Sequence, residues 1–194
     1  MDRRTGDSRI DLGGGIRQDS ICRMNERDMM HGKDWNEVED LAGFLATEKL
    51  DGVRAYWDGS RLWTRGGAVI AAPERITSAL PAGVHLDGEL WAGRGRFEEA
   101  RLAVQCGRWT ARCRLAVFDA PKAPGGFADR LAFARREVDD LGAVFVVAAE
   151  VLGKSGDAVR LRNRVQRAGG EGLVCFDPAA PYRAGRVGSV VKVK

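Results

Sequence analysis

Between Val53 and Thr64 the chain is written as a β-hairpin. Val53, Ala55 and Trp57 alternate with Arg54, Tyr56 and Asp58; Asp58-Gly59 follows, and Leu62-Trp63-Thr64 returns. Successive side chains of a strand point to opposite faces, and Asp-Gly between β-prone runs is a strong short-range hairpin signal. A chain that begins its core this way must build at least one antiparallel sheet. Helical spacings are interleaved with further short strands. Pro73, Ile76 and Leu80 suggest a short helix with proline in its first turn. Phe97, Ala100 and Val104 fall on one helical face stopped by Gly107, and Phe127, Leu131, Ala134, Val138 and Leu141 on another ended by Gly142. Asp157 is placed to cap a helix carrying Leu161, Val165 and Ala168. Strands are expected at 85–91, 114–119, 144–149, 173–176 and 189–193. Hairpins mixed with helices predict an α+β fold with largely antiparallel sheets.

The 194 residues suffice for one sizeable core and are short for two full domains. Residues 1–34, with Gly13-Gly14-Gly15 and no periodicity, read as a loose arm before a domain of residues 35–194. An apolar fraction of 44% excludes a disordered chain, and no apolar run approaches the roughly 20 residues of a membrane span. The basic N-terminus is followed by no apolar stretch, which argues against a secretory signal and for a cytoplasmic protein. Cysteines at 22, 106, 113 and 175 form no CxxC pair, so structural zinc is disfavoured. The net charge of +4 is compatible with phosphate-bearing partners without demanding them.

The chemistry concentrates in EKLDGVRAYWDG, Glu48 to Gly59. Lys49 precedes a tight turn at Asp51-Gly52, and Arg54 lies five residues on. A lysine set among cationic and phosphate groups is a means of making an amine nucleophilic. At its ordinary pKa only about 0.04% is neutral at pH 7, so such use needs a site that assists proton loss. Further along, Arg65 sits in TRGG, and Asp87 and Glu89 project from one face of a strand. Phe118 stands at a strand end, and Glu171 opens a strand after Gly169-Gly170. In the final VVKVK, alternation puts Lys192 and Lys194 on one face and Val191 and Val193 on the other. Taken singly, each of these residues has an ordinary structural reading; the ordered set is what points to a site.

That set resembles the nucleotidyltransferase domain of ATP-dependent DNA ligases and related covalent nucleotidyltransferases. EKLDGVRAYWDG, LWTRGG, LDGELWAGRGRFE and VFDAP are most similar to the small bacterial ATP-dependent DNA ligases, over about Trp35 to Lys194. The resemblance implies an ATP-grasp-like adenylation domain of mixed sheets flanked by helices, and an enzyme of DNA repair, replication and recombination. Lys49 would take AMP from ATP, with Mg2+ or Mn2+. Glu48 would lie at the adenine and Phe118 would stack on it. Arg54 and Arg65 would hold ribose or phosphate oxygens, and Glu89 ribose or metal. Glu171 would hold the metal, and Lys192 and Lys194 the α-phosphate. Nicked double-stranded DNA is the implied partner of a monomer. In that family an OB-fold domain follows the Lys-x-Lys motif and orients pyrophosphate. The sequence stops at Lys194, so the expectation is that the OB-fold domain is absent, that an OB-fold protein could act in trans, and that self-adenylation is slow. Two alternatives stand beside this reading: an RNA ligase or capping-type nucleotidyltransferase, and a non-catalytic domain that binds nucleotide or DNA.

Overall fold

The computed structural model describes residues 29–138, 142–154 and 156–194. Two five-stranded sheets face one another. The hairpin is where the sequence places it: β3 (Val53–Trp57) pairs antiparallel with β4 (Leu62–Thr64), and Asp58 accepts the Ser60 and Arg61 backbone N–H groups at the turn. β5 (Leu86–Trp91), β6 (Arg114–Asp119) and β7 (Val144–Val146) extend it, giving the order β4-β3-β5-β6-β7. The second sheet has the order β1-β10-β9-β2-β8, from β1 (Met30–Asp34), β2 (Leu45–Glu48), β8 (Ala149–Val151), β9 (Leu173–Phe176) and β10 (Gly185–Val193). Among the described residues the pairings β1–β10 and β6–β7 are parallel and the rest antiparallel, as expected of largely antiparallel sheets.

Three apolar layers hold this together. One lies between the hairpin sheet and its helices, around Trp57, Ile76, Leu86 and Leu115. One lies under α4 (Asp157–Arg167), where Leu161 and Val165 meet Val191 and Val193. The third sits between the sheets, where Met30, Ala116, Phe176 and Val190 meet α3 (Phe127–Glu137). Phe127 stacks flat on Phe176 with ring centroids 3.9 Å apart. The remaining helices, α1 (Glu74–Thr77) and α2 (Phe97–Cys106), cover the hairpin sheet. No helix among the described residues is long and apolar enough to cross a membrane.

The structure corrects several expectations. Residues 30–34, expected within a loose arm, form β1, because β10 offers them a parallel edge; residues 1–28 lie outside the described residues. The single strand expected at 144–149 is two strands in different sheets, because the chain passes from one sheet to the other at Val147-Ala148. Asp157 is the first residue of its helix rather than the cap; its carboxylate instead accepts the Gly153 and Lys154 N–H groups of the preceding turn. Phe97 leaves the buried face of α2, which runs through Ala100 and Ala103, and is 37% exposed. Leu141, expected on the face of α3, lies outside the described residues.

Between the sheets is also a fully buried ion pair. Arg130 of α3 donates from Nε to Asp119 Oδ1 at 2.7 Å and from Nη2 to Oδ2 at 3.0 Å. Its Nη1 reaches the carbonyls of Ala180 and Gly125. Replacing one partner of such a pair strands the other charge without water. We expect Arg130→Ala to cost about 3–5 kcal/mol, measured by urea unfolding.

Candidate functional site

A cavity of about 590 Å³ opens at the seam of the two sheets. That is within the range of small-molecule sites. It gathers every site residue the sequence singled out except one: Glu48, Lys49, Arg54, Arg65, Glu89, Phe118, Lys192 and Lys194 all line it. The exception, Glu171, reaches the site through its carboxylate. Lys49 Nζ lies 2.5 Å from Glu171 Oε2, and Lys194 Nζ lies 3.8 Å from Oε1.

Local backbone explains how the lysine is presented. β2 pairs with β9 through Glu48↔Leu173, and the Lys49 N–H donates to the Gly172 carbonyl at 2.9 Å. The ladder ends there, so Lys49 stands at the sheet's end beside Glu171. The turn at Gly52 needs glycine on steric grounds: a Cβ would sit 2.3 Å from the Leu90 carbonyl oxygen. In the same sheet, on the far side of β9, Val191 and Val193 are fully buried while Lys192 and Lys194 face the cavity, as period-two alternation requires. Burial holds Lys192 below the ordinary lysine range, with Arg186, Lys194 and Lys49 adding to this and Asp34 opposing it.

The floor is a polar network that sequence reading only partly found. Arg54 donates from Nε to Asp87 Oδ1 at 2.7 Å and from Nη2 to Oδ2 at 2.6 Å. Nη2 also reaches the Met30 carbonyl, and the guanidinium lies 4.8 Å from the centroid of the half-buried Phe118 ring. Asp87 has no solvent exposure. Its second partner is Tyr182, whose hydroxyl donates to Oδ2 at 2.8 Å and accepts the Met30 N–H at 3.0 Å. Burial works against the Arg54 charge, but Asp87 outweighs it and the guanidinium is held above its ordinary value. Burial, reinforced by Asp87, pushes the Tyr182 phenol well up, so it stays a donor. Tyr182 carries no motif, lying among turn residues; no spacing in the sequence signals it. Asp87 was visible beside Glu89, without its role.

Glu89 faces the cavity opposite Arg54 in the β3–β5 register. Burial pushes its carboxyl up to about 7, against the pull of Arg54, Lys49 and the Gly52 N–H. Glu171 thus contacts Lys49, and Glu89 shares the cavity with it within electrostatic reach. Among the described residues no group of three or more His, Cys, Asp or Glu side chains is gathered as a metal cage. Two carboxylates beside a phosphate-sized space are the donor set Mg2+ ordinarily takes, since it fills its remaining positions with water and substrate phosphates. The residues present therefore fit such an ion. Glu48 has a partner the sequence does not name: Arg94, which grips both of its oxygens at 2.7 Å.

Two facing sheets with a lysine set against a glutamate at their seam, a K-x-D-G segment that leads from one sheet into the other, and a Lys-x-Lys strand in the same sheet as that lysine, define a nucleotidyltransferase domain. No family model matches the chain. It is 32% identical over 161 residues to a DNA ligase of Haemophilus influenzae, a stretch that is 80% of this chain and 59% of that protein. The chain thus spans about three-fifths of the length of this curated relative. A solved structure from a structure-function study of Lig E DNA ligases, concerned with DNA binding by a minimal scaffold, is 32% identical, with a TM-score of 0.76 over 86% of this chain and 68% of that one. A Chlorella virus DNA ligase-adenylate, 20% identical, shares the fold with a TM-score of 0.72 over 87% of this chain and 67% of that one. The chain belongs to the ATP-dependent DNA ligase family, whose adenylation domain it matches.

The network around Asp87 makes a specific demand on Tyr182. Tyr182→Phe removes one donor from a buried carboxylate and one acceptor from the Met30 N–H. We expect a loss of about 1–3 kcal/mol in stability by denaturant unfolding, with weaker nucleotide binding by titration calorimetry as Arg54 loses its fixed orientation.

Proposed function

We propose that this domain transfers AMP from ATP to Lys49 and then to the 5′-phosphate of a nick in double-stranded DNA, which is sealed. The observation that carries the proposal is the Lys49–Glu171 contact inside a cavity that also presents Lys192 and Lys194. Lys49 Nζ attacks the α-phosphorus; the N–P bond forms as the bond to the pyrophosphate oxygen breaks, and pyrophosphate leaves. The ammonium must lose its proton for this, and Glu171 Oε2, at 2.5 Å, both aims Nζ and is the nearest carboxylate to receive it. Lys192 and Lys194 stand where negative charge grows on the phosphoryl oxygens. Positioning and electrostatics of this kind are most of what a protein contributes to phosphoryl transfer.

The other residues divide the nucleotide between them. Phe118 stacks on adenine, and Glu48, its carboxylate clamped by Arg94, borders the base. Arg54, fixed by Asp87 and Tyr182, and Arg65 at the cavity wall hold ribose or phosphate oxygens and the 5′-phosphate of the nick. Glu89 and Glu171 would hold Mg2+ or Mn2+, which would neutralise charge on the triphosphate. In the last step the 3′-hydroxyl oxygen attacks the adenylated 5′-phosphate and AMP leaves. An OB-fold domain, in cis or in trans, is the proposed partner that orients pyrophosphate in the first step. The relatives named above are DNA ligases, so RNA-directed and non-catalytic readings are not favoured.

Two measurements test this. Incubated with ATP and a divalent metal, the chain should gain the mass of one AMP, and Lys49→Ala should gain none while keeping its melting temperature. An adduct mapped to Lys192 or Lys194 would overturn the assignment. Phe118→Leu should weaken ATP binding by about 1–3 kcal/mol, the worth of a base stacked on an aromatic ring. Normal ATP binding with a much lower melting temperature would make Phe118 a core residue only.

A further inference from the structure

The AGRGR segment after β5 folds into a turn that aims one side chain at the neighbour of the nucleophile. Gly93 and Gly95, on either side of Arg94, have φ of 117° and 67°, in the left-handed region that glycine adopts without strain. The Gly93 carbonyl accepts the Arg96 N–H and closes the turn. Arg94 projects from its apex toward Glu48, which lines the cavity. It donates from Nε to Glu48 Oε1 and from Nη2 to Glu48 Oε2, both at 2.7 Å, a planar fork on a carboxylate. Its third nitrogen, Nη1, donates to the Ala168 carbonyl at the C-terminus of α4, at 3.2 Å.

One guanidinium therefore joins three segments: the loop leaving the hairpin sheet, the residue before Lys49, and the turn that delivers Glu171. Gly170 packs directly between them, for a Cβ there would lie 2.8 Å from Glu48 Oε1 and 2.4 Å from Val165 Cγ1. Both oxygens of Glu48 are occupied. Unclamped, that carboxylate would stand one residue from Lys49 as a rival to Glu171.

We propose that Arg94 is a positioning residue for the adenylation step, keeping the Glu48 carboxylate off Lys49 and fixing the 168–171 turn so that Lys49 and Glu171 meet. The inference rests on the functional reading above. It applies to the step in which Lys49 is the nucleophile and not to the closing step, where Lys49 no longer reacts. Arginine is required for its fork; a lysine supplies the charge at a single point and cannot occupy both oxygens and the carbonyl together.

The test uses the full chain and separates the two steps. At saturating ATP, so that any looser grip on the base through Glu48 does not enter, Arg94→Ala should slow single-turnover formation of the AMP adduct roughly 10- to 100-fold, the cost of a misplacement of about 1 Å. Sealing of a pre-adenylated nick and the melting temperature should stay close to wild type. Arg94→Lys should not restore the rate. Glu48→Gln together with Arg94→Ala should be no slower than Arg94→Ala alone, since the two residues act as one unit. Equal loss in both steps with a lowered melting temperature would overturn the inference, as would an unchanged adenylation rate or independent, multiplying effects of the two substitutions. No adduct on the wild-type chain would overturn the functional reading itself; a normal wild-type adduct with a fully active Arg94→Ala overturns this inference alone.

Discussion

A carboxylate with no access to water has to be answered by cations and donors on every side, and Asp87 is that carboxylate. Its answer comes from two pieces of chain that meet a third at Met30. Arg54 forks onto it from the adjacent strand, Tyr182 donates to it from the segment before β10, and both of those also bind the backbone of Met30. The two sheets are thus joined by polar contacts at the floor of the cavity and by apolar contacts around Phe127 and Phe176 beside it. The second buried pair, Arg130 with Asp119, secures the carbonyl of Ala180, two residues from Tyr182. The cavity keeps its shape because its floor cannot rearrange without stranding a buried charge away from its partner.

Above that floor the site is an arrangement of alternating charge. Arg94 faces Glu48, Lys49 and Lys194 face Glu171, and Glu89 stands across from Arg54. Among the described residues Glu48 and Glu171 are each in direct contact with a cation, while burial pushes the Glu89 carboxyl up to about 7 against the pull of Arg54 and Lys49. The positive groups Lys49, Arg54, Lys192 and Lys194 thus line the cavity, and the carboxylates of Glu48 and Glu171 are compensated by cations.

Much of this was legible in the sequence, for identifiable reasons. The hairpin, the alternation of Lys192 and Lys194 with Val191 and Val193, and the amphipathic faces of α3 and α4 follow from periods of two and of 3.6 residues, which depend on neighbours in sequence alone. β1 was missed because its order comes from β10, about 155 residues away, and its own sequence, MHGKD, has little strand signal. The 144–149 run was misread because a continuous apolar stretch looks the same whether it stays in one sheet or crosses to another. Phe97 was assigned to a buried face because its spacing fits one; only the packing of α2 shows that Ala100 and Ala103 carry it.

By itself, the sequence determined most of the elements and their apolar faces, and which side chains are of a type to act: an amine at Lys49, an aromatic ring at Phe118, and paired cations at Lys192 and Lys194. The tertiary structure alone decided who meets whom. Lys49 and Glu171 are 122 residues apart, Asp87 and Tyr182 are 95, Glu48 and Arg94 are 46, and Arg54 and Asp87 are 33. No local rule of spacing relates such positions, because a pairing across that distance is fixed by strand register and by how the two sheets pack, and a shift of one residue in either would turn the partner to the opposite face.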